Sequence, residues 1–335
     1  MNRRALLLAA GTSCLVSASG PLARAQVRPS FADAAAYSAE RAGAALVIAR
    51  HGVVLAEDYP AGRSTTRWPI SAGTRAFAAL LAASLVQDEL MSLDEPVALT
   101  LGDWGAHPSK SIISIRSLLS GASGIAFGRR ESRDLQAAIA LEPSEPPGVR
   151  FQDDIATYVL FTEIARRKLE ASRASVDPAR YLTERTLLPI GAVPIGWSRT
   201  RDGAPLFDTG AEVSARGWAQ VGELIRREGV WRARQLADDN TLREAVRGSF
   251  AESRAGFGLW IAAPAQGSRA SLPIDSDLWR ASSPAPADLA MAAGEDGQRL
   301  YVAPSAGLVV ARLVQPRART SWSDAEFLSL LWRDL

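Results

Sequence analysis

Few residues in this chain have the type and placement for covalent or acid/base chemistry. Ser71 is the first. It stands at the start of a strongly apolar helical run, WPISAGTRAFAALL over 68–81. A serine there serves either as a displaced nucleophile, because a helix N-terminus favours a developing anion, or as the N-cap of the helix. The cap is the preferred reading, because Arg75 stays protonated and is no base for the hydroxyl. Arg75 could bind an anion at the helix start. A partly buried charge needs a partner, which favours an ion pair with an acid such as Asp153 or Glu295 over anion binding. The adjacent acids Asp153-Asp154 and Glu295-Asp296 could form a paired-carboxylate acid/base site or bind calcium, although acids in loops are more often solvated. His51 and His107 lack the serine and aspartate context of a triad and read as loop residues. Trp104, Trp197, Trp260 and Trp279 could line a cleft, but large aromatics more often fill cores and interfaces.

The absences are as informative. The whole chain has two lysines, Lys110 and Lys168, and neither follows a serine by three positions. Beyond Asn2 the only asparagine is Asn240, and no Gly-x-Ser-x-Gly occurs. With two histidines and one cysteine, neither a transition-metal centre nor a cofactor is expected.

The elements that must position these residues follow from periodicity. Residues 31–43 read as an alanine-rich helix. AALVIAR (44–50), then HG, then VVLAEDY (53–59) reads as a β-hairpin. The run from Ala76 to Val86 has almost no polar face and predicts a buried helix. Further helices are expected over 155–169 and 214–228. After about residue 256 the pattern shortens to strands, FGLWIAA, DLAMAAG, QRLYVAP and GLVVARLV, and a closing helix over 322–335. The α/β (α+β) fold expected is therefore one antiparallel sheet built from both chain ends and flanked by helices, with an all-helical lobe inserted. The sheet lobe would span about 26–70 and 256–335, the helical lobe about 71–255.

Composition narrows the class. Of 335 residues, 47% are hydrophobic and 22% charged, ordinary for a globular chain. Residues 1–25 read as a signal peptide: basic Asn2-Arg3-Arg4, an apolar run over 5–20, and Ala23-Arg24-Ala25 as a small-x-small cleavage site. The expected location is periplasmic or secreted, and Arg3-Arg4 suits twin-arginine export. Cleavage removes three arginines and no acid, so 38 bases become 35 against 36 acids. That balance gives no reason to expect a nucleic-acid partner. It also removes Cys14, and no later segment reads as a membrane span.

Five segments occur in order: VIARHGVVLAEDY, ISAGTRAF with SLDEPV, ISIRSLLSGASGI, PPGVRFQDDIATYVLFTEI, and AAGEDGQRLYVAPSAGLVVARL. The series resembles the serine β-lactamase and penicillin-recognising superfamily, most closely the branch of class C β-lactamase-like esterases and amide hydrolases. The resemblance implies a β-lactamase/DD-peptidase-like fold with a cleft between its lobes. It also implies three catalytic clusters: Ser-x-x-Lys, Tyr-x-Asn or Ser-x-Asn, and Lys-Thr-Gly or a His-Gly-Gly-like variant. All three are degenerate here. Alignment places Ala72 at the nucleophile and Arg75 at the lysine, Asp153 at the tyrosine and Ile155 at the asparagine. Glu295-Asp296 falls where a basic or histidine pair would lie. The expectation is a catalytically deficient relative with a cleft for a small-molecule or cell-wall-related ligand. The alternative is an active esterase, amidase or β-lactamase with a rearranged site using Ser71. A weaker third reading is a carboxylate hydrolase using Asp153 and Glu295.

Overall fold

The structure, a computed structural model, describes residues 31–128, 132–174, 176–262, 272–274, 276–318 and 321–335. The expected signal peptide and its cleavage site lie outside the described residues.

The described residues begin with α1 (Ala32–Glu40) and the hairpin β1 (Gly43–Arg50) and β2 (Val53–Asp58), turned by His51-Gly52. Strand β3 (Trp68–Pro69) leads into a tight 3-10 turn, Ser71–Arg75, which feeds α2 (Ala76–Gln87). The middle of the chain holds α3 (Ile115–Leu119), α4 (Leu135–Ala140), α5 (Ile155–Ala171), α6 (Pro178–Leu182) and α7 (Leu188–Ile190). Next come β4 (Gly196–Trp197), β5 (Ala211–Val213), α8 (Ala215–Arg226), β6 (Val230–Trp231), β7 (Arg234–Gln235) and α9 (Asp239–Ala245). The end of the chain supplies β8 (Trp260–Ile261), β9 (Ala290–Ala293), β10 (Arg299–Ala303), β11 (Leu308–Val314) and α10 (Asp324–Arg333).

The main sheet is antiparallel, in the order β2-β1-β11-β10-β9-β8, so both chain ends do build it. Val47 sits opposite Ala311 at the β1/β11 seam. Helices α1 and α10 cover one face, closing a core of Phe31, Ile48, Tyr301, Val310 and Phe327. Helix α8 covers the other, although it falls within the 71–255 span. Gly222 of α8 permits that closeness, because a β-carbon there would stand 2.7 Å from Val309 Cγ1. A larger core runs from this face into the helices and encloses α2, whose residues Ala76 to Leu85 are all buried.

Three sequence expectations change. The α-helix starts at Ala76, five residues later than Ser71, because a 3-10 turn takes up the entry. FGLWIAA yields only the two-residue β8. A second sheet, β3-β5-β4, was not expected, since two-residue strands carry no alternation to read. Among the described residues no helix is long and apolar enough to cross a membrane.

Candidate functional site

The mouth of α2 is fixed by its neighbours. Ile70 N–H donates to Ala211 O of β5 at 3.1 Å, and the buried Thr74 accepts from Ala211 N–H through its hydroxyl at 3.0 Å. Gln298 Nε2 donates to Pro69 O at 2.8 Å from the sheet side. Gly258, at φ +69°, lies so close that a β-carbon would meet Arg75 O at 2.6 Å; only glycine fits there.

Ser71 does not cap the helix. The residue before the turn is Ile70, no side chain caps it, and Ser71 has a left-handed φ of 47°. An N-cap needs an extended backbone to aim its oxygen at the following N–H groups. Among the described residues no base is hydrogen-bonded to the Ser71 hydroxyl. Ala72 beside it is half-buried and presents only a methyl group.

Arg75 finds its partner in Asp153. Nη1 lies 2.6 Å from both Oδ1 and Oδ2, and the two side chains are 15% and 14% exposed. Burial alone would lower the Arg75 pKa; the fields of Tyr158 and Asp153 outweigh it and hold the guanidinium above its ordinary value. Arg75 is therefore a permanent cation. Its carbon Cζ also stands 5.1 Å from the Tyr158 ring centre. Tyr158 is fully buried, which pushes its hydroxyl far above the ordinary phenol range, so it supplies no phenolate. Around this group the cleft, walled by Phe151, Thr157, Leu259 and Trp260, keeps about 20 Å³. That is room for about one water molecule.

The other candidates separate. Asp154 is not a solvated acid: its carboxylate caps α5 by accepting from Ala156 N–H at 2.8 Å, and it also takes Phe127 N–H and Gly128 N–H at 3.1 Å. Ile155 is the first residue of that helix. Glu295 does not reach Arg75. It is exposed on a short turn, with Asp296 at φ 56°. What packs against the 3-10 turn is β9 and Gly294, where a β-carbon would meet Ile70 O at 2.1 Å. The aligned third cluster is thus the alanines and glycine before Glu295, with no basic side chain. His51 is an exposed turn residue, whereas His107 is half-buried and 2.8 Å from Glu142. Of the tryptophans, Trp260 lines the cleft with Trp279 against it, Trp104 is core, and Trp197 packs between Phe77 and Phe207. Among the described residues no cluster of histidine, cysteine or acids could hold a metal.

Sequence reasoning missed Asp208. It is 2% exposed, held by Arg133 Nη2 at 2.6 Å, and its charge reaches Arg75. No spacing in PLFDTGA distinguishes it from a loop acid.

An antiparallel sheet made of both chain ends, with a buried helix whose mouth faces a cleft lined by Trp260 of β8, defines a serine-hydrolase fold of the penicillin-recognising kind. The β-lactamase family model matches residues 30–326, and the chain belongs to that family. No curated protein matches the sequence. Among solved structures it is similar to a penicillin-binding protein homologue from Caulobacter crescentus, at 17% identity and TM-score 0.67, covering 91% of this chain and 97% of that one. A family VIII carboxylesterase gives 15% identity and TM-score 0.69, covering 91% and 96%. EstCE1, a hydrolase with promiscuous acyltransferase activity, gives 15% and 0.67, covering 91% and 97%. At these identities the likeness is one of fold.

Proposed function

We propose that this β-lactamase-family protein is exported and catalytically silent, with binding rather than covalent turnover as its role. The observation that supports this most is the pair at the helix mouth. Where acyl transfer needs a hydroxyl and a neutral base, the chain has the Ala72 methyl and an Arg75 guanidinium clamped by Asp153. A cation that cannot lose its proton takes none from a nucleophile. Among the described residues no base is hydrogen-bonded to Ser71, and the space beside Arg75 has room for about one water molecule. Asp153 is already committed to Arg75 and Glu295 is exposed on its turn, so among the described residues these two acids do not form a pair either.

The test is covalent labelling of the folded protein with a fluorescent penicillin and a fluorophosphonate. The expected result is no adduct on the wild-type chain. A mass-shifted peptide mapped to Ser71 or to any cleft side chain overturns the proposal. Export is tested by N-terminal sequencing of the protein recovered from the periplasm or medium. The expected start is Gln26, and a chain kept in the cytoplasm with residues 1–25 intact overturns that part.

A further inference from the structure

A second cavity lies one side chain away from the filled cleft. It encloses about 380 Å³ between α5 and the turn 199–208, against about 20 Å³ beside Arg75. Ligand sites for small organic molecules run from roughly 300 to 1,000 Å³. Tyr158 belongs to both walls, so the ring that helps close the cleft floors this chamber. Its apolar wall comes from Leu135, Val159, Pro178, Leu206 and Phe207, and Val176, 58% exposed, stands at the rim.

The charges in the wall limit what can enter. Among the described residues three arginines line it, and each already holds an acid. Arg133 grips Asp208 at 2.6 Å, Arg166 grips Glu163 at 2.8 Å, and Arg199 grips Asp177 at 2.6 Å. The remaining acid, Asp202, is exposed to water. The described wall residues thus offer no net positive field to an anion, and a buried carboxylate would meet Asp208 and Glu163. Among the described residues donors are left over at Arg199 Nε and the Tyr158 hydroxyl, and on Arg133, which is exposed to water at the rim. Arg133 spends Nε and Nη2 on Asp208 and Thr209, while its Nη1 makes no hydrogen bond among the described residues. A neutral acceptor such as an amide or ester carbonyl suits that donor without disturbing the ion pair.

We propose that this chamber is a binding site for a neutral, mainly apolar small molecule carrying a carbonyl acceptor. The proposal stands apart from the silence of the helix mouth and holds whether or not any adduct forms there.

The experiment uses the full mature chain and two chemically matched probes, N-benzylbenzamide and 2-benzylbenzoate, titrated by ligand-observed NMR. Val159→Trp and Leu206→Trp fill the chamber from opposite walls, and each is first checked for an unchanged melting transition. Arg133→Lys keeps the charge facing Asp208 but deletes Nη1. The amide is expected to bind in the micromolar range, at least tenfold tighter than the carboxylate. Either tryptophan should weaken it tenfold or more, and Arg133→Lys three- to tenfold. Failure of the amide to bind below 1 mM overturns the site. So does binding that survives both tryptophans. Tighter binding of the carboxylate, or no effect of Arg133→Lys, overturns the assignment of a neutral carbonyl ligand.

Discussion

Arg75–Asp153 at the helix mouth and Arg299–Asp324 under α10 are the same chemical pair in two settings. In the sheet lobe the pair is 2% and 0% exposed, and every polar arm is used. Asp324 accepts from Arg299 Nε at 2.9 Å, Trp322 Nε1 at 2.9 Å, Ser276 Oγ at 2.5 Å and the Tyr301 hydroxyl. Arg299 Nη1 goes on to Gly294 O at 2.9 Å. At the helix mouth Arg75 contacts its acid through Nη1 alone. Its Nε is buried with no partner among the described residues. A saturated network is what a fold acquires for stability. An unsaturated pair wedged between a cleft wall and a strained turn fits a site whose geometry was laid out for other groups.

The contrast can be broken most forcefully from the saturated side. Asp324→Ala leaves Arg299 charged, buried and unpaired, and should cost about 3–5 kcal/mol in urea unfolding. Arg75→Ala should cost less, about 1–3 kcal/mol, because water reaches the released Asp153. In a double-mutant cycle Arg75→Ala and Asp153→Ala should couple by about 1–2 kcal/mol. Equal losses at the two sites would erase the distinction.

Acid sharpens it further. Burial pushes the Asp324 carboxyl up, but Arg299 and the other donors outweigh burial and hold it below its ordinary 3.8. A carboxylate with a depressed folded pKa contributes stability that is present above its unfolded value and lost as pH falls through the folded one. Urea unfolding of the wild type should therefore weaken steeply below about pH 4. Asp324→Asn should flatten that limb. An unaltered slope would remove Asp324 from the account.

The smallest effect is expected at Ser71. Its φ of 47° is a conformation glycine adopts freely, so Ser71→Gly should be neutral or stabilise by about 0.5–1 kcal/mol. A loss above 1 kcal/mol would mean that the hydroxyl has a partner after all.

Local pattern carried the main strands and the long helices into view, since β1 and β11 are continuous apolar β-rich runs and α5 and α8 repeat apolar residues at helical spacing. It also showed that no Ser-x-x-Lys, Ser-x-Asn or Tyr-x-Asn occurs in the sequence, because an absent lysine or asparagine needs no structure to be noticed. It failed where tertiary context decides. Ser71 looks like a cap by type, but its backbone lies in the left-handed region. Arg299 and Arg312 sit in strands yet are buried, at 2% and 0% exposure, against the strong tendency of arginine to stay outside. Glu295 lies exposed on its turn and makes no ion pair with Arg75 among the described residues, and the loop that brings Asp208 to Tyr158 leaves no periodic trace.

Arg312 and the seam it guards set a timetable for synthesis. Strand β1 pairs residues 43–50 with 308–314, and Arg312 ties the late strand to Ser38 Oγ at 3.1 Å and Arg41 O at 2.7 Å at the end of α1. A ribosome delivers the first partner long before the second. Until residue 314 has emerged, the hairpin holds an open hydrogen-bonding edge of the kind that recruits stray strands. Chaperone dependence should therefore fall abruptly when the last strand appears, rather than decline in proportion to chain length.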